Sequence, residues 1–326
     1  MLVDLSTPET FVLESAEFLN KFGPQNVFNP AASSTFKNKT TYFVNAYIDM
    51  FPKTMSMVHG YLGEDRISGL GKEFQTTFGV VQRYDNSEPN LSFLNQTFAG
   101  RIGLSNTKDP KTSVRDTILR DSHLPVVCLE ATANKTHNST TVRIGDYIYN
   151  KTSFKTKVPA IKPEFPFEGL WIAPVDGVSI DGVNFNDSYG AILATTVDVI
   201  GLPGGPYEHL LKKLKPKYDQ DLREWVVDCA LNIDIKLAIG KSEIVIEFGA
   251  YTDKLTETKC RLKLDVSQWN RLLLGAPFFT NNGICLNYES DEIHFYEVPH
   301  TNSGMKIASS SFLITCLLTF ALFLPK

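Results

Sequence analysis

Apolar residues recur along most of this chain at every second position, in short runs broken by Gly, Asn and Asp. That spacing predicts half-buried strands joined by turns, not helices. Segments 41–44, 79–84, 141–144, 169–175, 192–193, 235–239, 244–248 and 260–264 all fit. Asp181-Gly182, after Val178-Ser179-Ile180, is a two-residue hairpin turn. One segment departs from the period. Between Pro206 and Leu214, the residues Tyr207, Leu210, Leu211 and Leu214 fall at i, i+3, i+4 and i+7. A proline opens that run and lysines close it, as helix ends prefer. His209 within it is expected to be an exposed helix residue rather than a ligand.

The predicted fold class is therefore all-β. At 326 residues, with 43% hydrophobic and 21% charged, the chain can fill one large or two medium cores. The stretch 155–167 is rich in Pro and Lys, lacks a period, and is expected to be a linker. It divides residues 1–154 from 168–300, with 301–326 as a separate tail. A formal charge of −4 with no basic block argues against nucleic acid as the partner. The six histidines never stand at ligand spacing with cysteine, so neither a metal nor any other cofactor is expected. No nucleotide loop is formed by 201–206, which lack the Lys-Ser/Thr, and there is no Gly-x-Ser-x-Gly.

Seven Asn-x-Ser/Thr acceptors stand at Asn38, Asn90, Asn95, Asn134, Asn138, Asn150 and Asn186; composition alone would give roughly three. They point to the secretory lumen, where disulfides are permitted. Near the end, the small residues Asn302, Ser303 and Gly304 precede a spacer and the uncharged run 312–324. That run is short for a bilayer span of about 20 residues. It fits the cleaved tail of a glycolipid-anchor signal or a short membrane helix. Met1-Leu2-Val3-Asp4 has neither a basic region nor a small-residue cleavage site. The expectation is thus a sequence missing its beginning, from a protein of the cell surface or extracellular space.

Several segments, in order, resemble the pepsin-like aspartic peptidases. Val3-Asp4-Leu5-Ser6-Thr7-Pro8 and the following Phe11-Val12 resemble the first active-site strand and its Asp-Thr-Gly-Ser loop. Phe28-Asn29-Pro30 through Phe36 is similar to the segment shortly after that loop, and Gly60-Tyr61-Leu62-Gly63 to the strand leaving the flap. Phe98-Ala99-Gly100-Arg101-Ile102-Gly103-Leu104 resembles the family's Phe-Asp-Gly-Ile-Leu-Gly-Leu. In the second half, 191–203 resemble the second active-site loop, 273–279 the Ile-Leu-Gly-Asp-x-Phe segment, and 291–295 the last strand. The resemblance covers nearly all of 1–297. It implies a bilobal pepsin-like fold, N-terminally incomplete because the chain opens inside the first active-site strand. It also implies a Cys229–Cys260 disulfide.

The family's chemistry, as the resemblance implies it, needs two carboxylates sharing a proton and activating a water. The first survives as Asp4, flanked by Leu5 and Ser6, while the second position holds Ala194, followed by Thr195 and Thr196. An alanine methyl can bind neither proton nor water. Asp198, four residues on, is roughly 13 Å away along an extended strand and is expected to cap a loop rather than act as a base. The flap tyrosine's place falls at Lys53. The expected function is a catalytically inactive aspartic-peptidase-like monomer that holds a peptide or protein in the interlobe cleft, attached to a membrane through its C-terminus. The rival is a weak acid endopeptidase using Asp4 and a second carboxylate elsewhere. Cys128 and Cys285, each between apolar neighbours, are expected to be buried thiols.

Overall fold

A computed structural model describes residues 2–16, 18, 27–50, 54–69, 72–86, 100–107, 114–133, 138–162, 169–267 and 270–298. Among the described residues most of the regular structure is strand, arranged in five sheets. The chain divides into two compact units. One comprises residues up to Leu124 with Gly169 and Leu170, and the other begins at Pro125 and continues from Trp171.

The first unit has one six-stranded sheet, in the order Leu2–Asp4, Gly100–Gly103, Phe11–Leu13, Lys72–Asn86, Thr54–Gly69, Lys37–Met50. Its centre is buried on both faces. Phe11, Leu13 and Val81 pack on one side with Phe43 and Val58, and Val12 and Val80 on the other with Phe28 and Phe78. Alternate residues of the same strands thus feed two cores. The helix Val114–Arg120 packs on this unit. Its buried Arg115 donates to the carbonyls of Ser105 and Thr107, fixing the exit of the strand Gly100–Gly103.

The second unit holds two five-stranded and two four-stranded sheets. One five-stranded sheet runs Ile172–Val175, Tyr189–Leu193, Arg271–Leu274, Ile200–Leu202, Leu264–Val266. The other runs Asn138–Ile144, Val126–Ala133, Asn282–Asn287, Glu292–Glu297, Phe154–Pro159. The expected hairpin is present: Asp181 and Gly182 take φ of 49° and 77°, the left-handed pair a tight turn requires. The expected helix spans Gly204–Leu214, buries Pro206, Leu210 and Leu214, and ends on Lys215 at φ 49°. His209 is half-buried there, edge-on to the Phe185 ring, and not fully exposed.

Two further expectations need correction. The stretch 155–167 is not linker throughout, because Phe154–Pro159 pairs with Glu292–Glu297. Thr156 and Val158 point inward while Lys155 and Lys157 face solvent and pair with Glu297 and Glu292. The lysines that suggested a linker are the outer face of a strand. Cys128 and Cys285 are buried as expected but are not thiols. They face each other across neighbouring strands and form a disulfide. The implied Cys229–Cys260 disulfide is also present.

A buried cluster on the same sheet gives this unit a pH signature. His294 is 5% exposed, stacks on Tyr147 at 4.8 Å, lies near the Phe154 ring and has the Tyr149 hydroxyl 2.6 Å from its Nδ1. Its Nε2 faces Glu292 at 3.4 Å, and Glu292 pairs in turn with Lys157. Burial pushes the imidazole below its ordinary value of 6.5 despite Glu292. The unfolded chain therefore takes up a proton before the native state does, and stability falls as pH drops through about 6.5. Urea midpoints at pH 7.5 and 5.5 are expected to differ less in His294→Gln than in the wild type. An unchanged difference would assign the slope to other groups. In the alkaline direction Tyr149 is pushed up to about 12, chiefly by burial with help from Tyr147 and Glu292.

Candidate active site

The same four-strand arrangement occurs once in each unit. In the first, Leu2–Asp4 runs parallel to Gly100–Gly103, which is antiparallel to Phe11–Leu13, which is parallel to part of Lys72–Asn86. In the second, Tyr189–Leu193 runs parallel to Arg271–Leu274, which is antiparallel to Ile200–Leu202, which is parallel to Leu264–Val266. The registers agree residue by residue. Val3 faces Ile102 and Leu193 faces Leu274. Phe11 faces Arg101 and Gly201 faces Leu273. Each arrangement has the same spacing from loop to returning strand, so Asp4 corresponds to Ala194, Ser6 to Thr196, Arg101 to Leu273 and Gly103 to Gly275. Asp4 and Ala194 thus occupy corresponding places in the strand order, each within its own unit.

Each loop rests on its glycine. A Cβ on Gly103 would lie 2.6 Å from the carbonyl oxygens of Pro8 and Glu9. One on Gly275 would lie 2.1 Å from that of Val199 and 2.4 Å from that of Val197. Only glycine lets the backbones approach so closely.

Around Asp4 the polar contacts are closed. The residue is 0% exposed, and its Oδ2 accepts from Arg101 Nη1 at 2.7 Å, with Arg101 itself 1% exposed. Its Oδ1 accepts from the Ser6 amide at 2.8 Å and the Ser6 hydroxyl at 2.6 Å. The Asp4 carbonyl accepts from the Leu104 amide, which ties the loop to the neighbouring strand. Arg101 was not singled out from the sequence, though a signal was there: a lone cation in an apolar strand segment must be paired when buried.

Around Ala194 the contacts are backbone only. Its amide donates to the Leu274 carbonyl at 3.0 Å, and its carbonyl accepts from Val197 at 3.3 Å. The methyl is 3% exposed. The Thr196 hydroxyl nearby is buried and has no hydrogen-bond partner among the described residues. Asp198 does not turn toward Ala194's neighbours as a spare acid. Its side chain is about half exposed and pairs with Lys263 Nζ at 2.9 Å. Lys263 is buried, also reaches Asp253 at 3.1 Å, and Asp253 pairs with Arg261. Asp198 is thereby the outer end of a charge chain that anchors its loop.

Elsewhere in the first unit, Glu14 accepts from the Tyr61 hydroxyl at 3.0 Å, and burial with that acceptor pushes the phenol well above its usual range. Lys53 lies outside the described residues, as do Asn90, Asn95, Asn134, Asn302, Ser303 and Gly304. Asn38, Asn150 and Asn186 are exposed, and Asn138 begins a strand.

Comparison with known proteins agrees with this topology. The family described as "Eukaryotic aspartyl protease" matches residues 3–298, and the chain belongs to it. Two curated relatives are each 24% identical over 309 residues, covering 90% of this chain and 57% of their own length. Both are named "Probable aspartic-type endopeptidase CTSD", one from Arthroderma benhamiae and one from Trichophyton verrucosum. The chain thus spans little more than half the length of these relatives.

Proposed function

We propose that this protein is a family member without the second catalytic aspartate, and that it binds an extended peptide or protein segment instead of cutting it. One observation carries the reading. At the two corresponding loop positions, the single carboxylate has both oxygens taken by Arg101 and Ser6, and the other side chain is a methyl. Acid–base hydrolysis needs one group to take a proton from water while its partner gives one to the leaving amine. A methyl can do neither. Backbone hydrogen bonding to an extended segment requires no carboxylate, so recognition by strand-like pairing survives the loss. Attachment at the cell surface, with sugars on the exposed asparagines, suits such a binding role.

The relatives' name favours a second reading, an acid endopeptidase drawing on Asp4 and a carboxylate from elsewhere. One experiment decides between them. The secreted protein and its Asp4→Ala variant are incubated with a peptide library from pH 3 to 7, and products are read by mass spectrometry. No cleavage is expected at any pH from folded protein. Cleavage by the wild type that disappears in an Asp4→Ala sample shown by circular dichroism to be folded at the same pH would overturn the proposal.

A further inference from the structure

We infer that Asp4 and Arg101 form an internal charge pair that builds the first unit, with Arg101 as a positioning residue that locks the surviving carboxylate away from chemistry. The inference deepens the proposed silence of the site by saying what the surviving aspartate is for. It is measured by unfolding, so it can fail while the cleavage result stands, and the reverse.

Three observations support it. First, both partners are sealed from water, at 0% and 1% exposure, and are joined at 2.7 Å. A buried ion pair of this kind adds little over an apolar pair of similar size, but removing one partner strands a charge in the interior. Second, the pair bridges adjacent strands of the four-strand arrangement, with Arg101 two residues before Gly103, the residue facing Asp4. It ties the loop to the strand beneath it. Third, the second unit contains the apolar alternative at the same register. Ala194 stands where Asp4 does and Leu273 where Arg101 does, and both are buried. Thr196 corresponds to Ser6, whose hydroxyl donates to Asp4, and the Thr196 hydroxyl has no such acceptor among the described residues. The same fold element thus occurs twice, closed once by charge and once by hydrocarbon.

This duplication suggests the test. Asp4→Ala, Arg101→Leu and the double variant, which copies the second unit's own pair, are compared by urea unfolding. Each single change is expected to lower the folding equilibrium constant about 10²- to 10³-fold, which is the cost of an unpaired buried charge. The double variant is expected to recover to within about tenfold of the wild type. Losses that simply add would show that Arg101 only fills volume, and would overturn the inference. If a single variant fails to fold, recovery of folded protein in the double supports the pair, and failure of both overturns it. Arg101→Lys keeps the charge and should retain more stability than Arg101→Leu; the opposite order would also count against the inference. The locking half has its own readout. Ala194→Asp alone is expected to stay silent from pH 3 to 7, because Asp4 remains held, and cleavage gained by that single change would overturn it.

Discussion

Replacing both Cys128 and Cys285 by alanine is expected to destabilise the second unit by about 5 kcal/mol, and replacing Cys229 and Cys260 by about 4 kcal/mol. The difference comes from chain entropy. The first bond joins residues 157 apart in sequence and the second residues 31 apart, so the first removes more freedom from the unfolded chain. It also pins Val126–Ala133 to Asn282–Asn287, two central strands of one sheet whose pairing is among the most distant in the chain. Substituting both cysteines avoids a stray buried thiol. The measurement is the shift in urea midpoint at an unchanged slope. A long-loop variant no weaker than the short-loop one would show that the sheet is already ordered in the unfolded ensemble, and would defeat the entropic account.

That disulfide also marks the limit of what the sequence discloses. Strands announce themselves locally: 235–239 coincide with Ile235–Ile239, and the Asp181-Gly182 turn falls where its left-handed residues must. Pairings between distant strands do not. Cys128 and Cys285 each sit in an apolar run, and an apolar run suits a free thiol and a half-cystine equally. Only the register of strands far apart in sequence separates the two. The candidate site divides in the same way. The strands that lead into Asp4 and Ala194 can be read from contiguous stretches that resemble active-site loops. The partner of Asp4 cannot, since Arg101 meets it only when two parallel strands align. Lys263 hid likewise: it interrupts an apolar alternation, and its acids Asp198 and Asp253 come from separate segments. The lysines of 155–157 misled for the converse reason, because the outer face of a strand and a solvated linker have the same composition.

Gly275→Ala is expected to cost at least about 3 kcal/mol, more than Gly103→Ala, while Gly204→Ala is expected to be neutral or slightly stabilising. Added to Gly275, a methyl meets backbone oxygens at 2.1 and 2.4 Å, and neither belongs to a side chain that could swing away. The Val197–Val199 backbone has to lift, which breaks the Ala276 amide's bond to the Val197 carbonyl at 2.6 Å. At Gly103 the nearest approach is 2.6 Å, so the displacement is smaller. Gly204 opens a helix with nothing within 4 Å, and alanine there restricts the unfolded chain without a clash. Urea unfolding of the three variants gives the ranking, and a Gly275→Ala protein as stable as Gly204→Ala would mean that the loop yields freely. The expected ranking bears on function as well as stability. Gly275 seats the loop around Ala194 within its own unit, at a position whose methyl side chain cannot bind a proton. Constraint on the backbone and constraint on the reacting group are then separable in this molecule. The glycine seats set the geometry of both loops whatever the side chains at Asp4 and Ala194 can do, and the proposed loss of catalysis leaves that geometry in place.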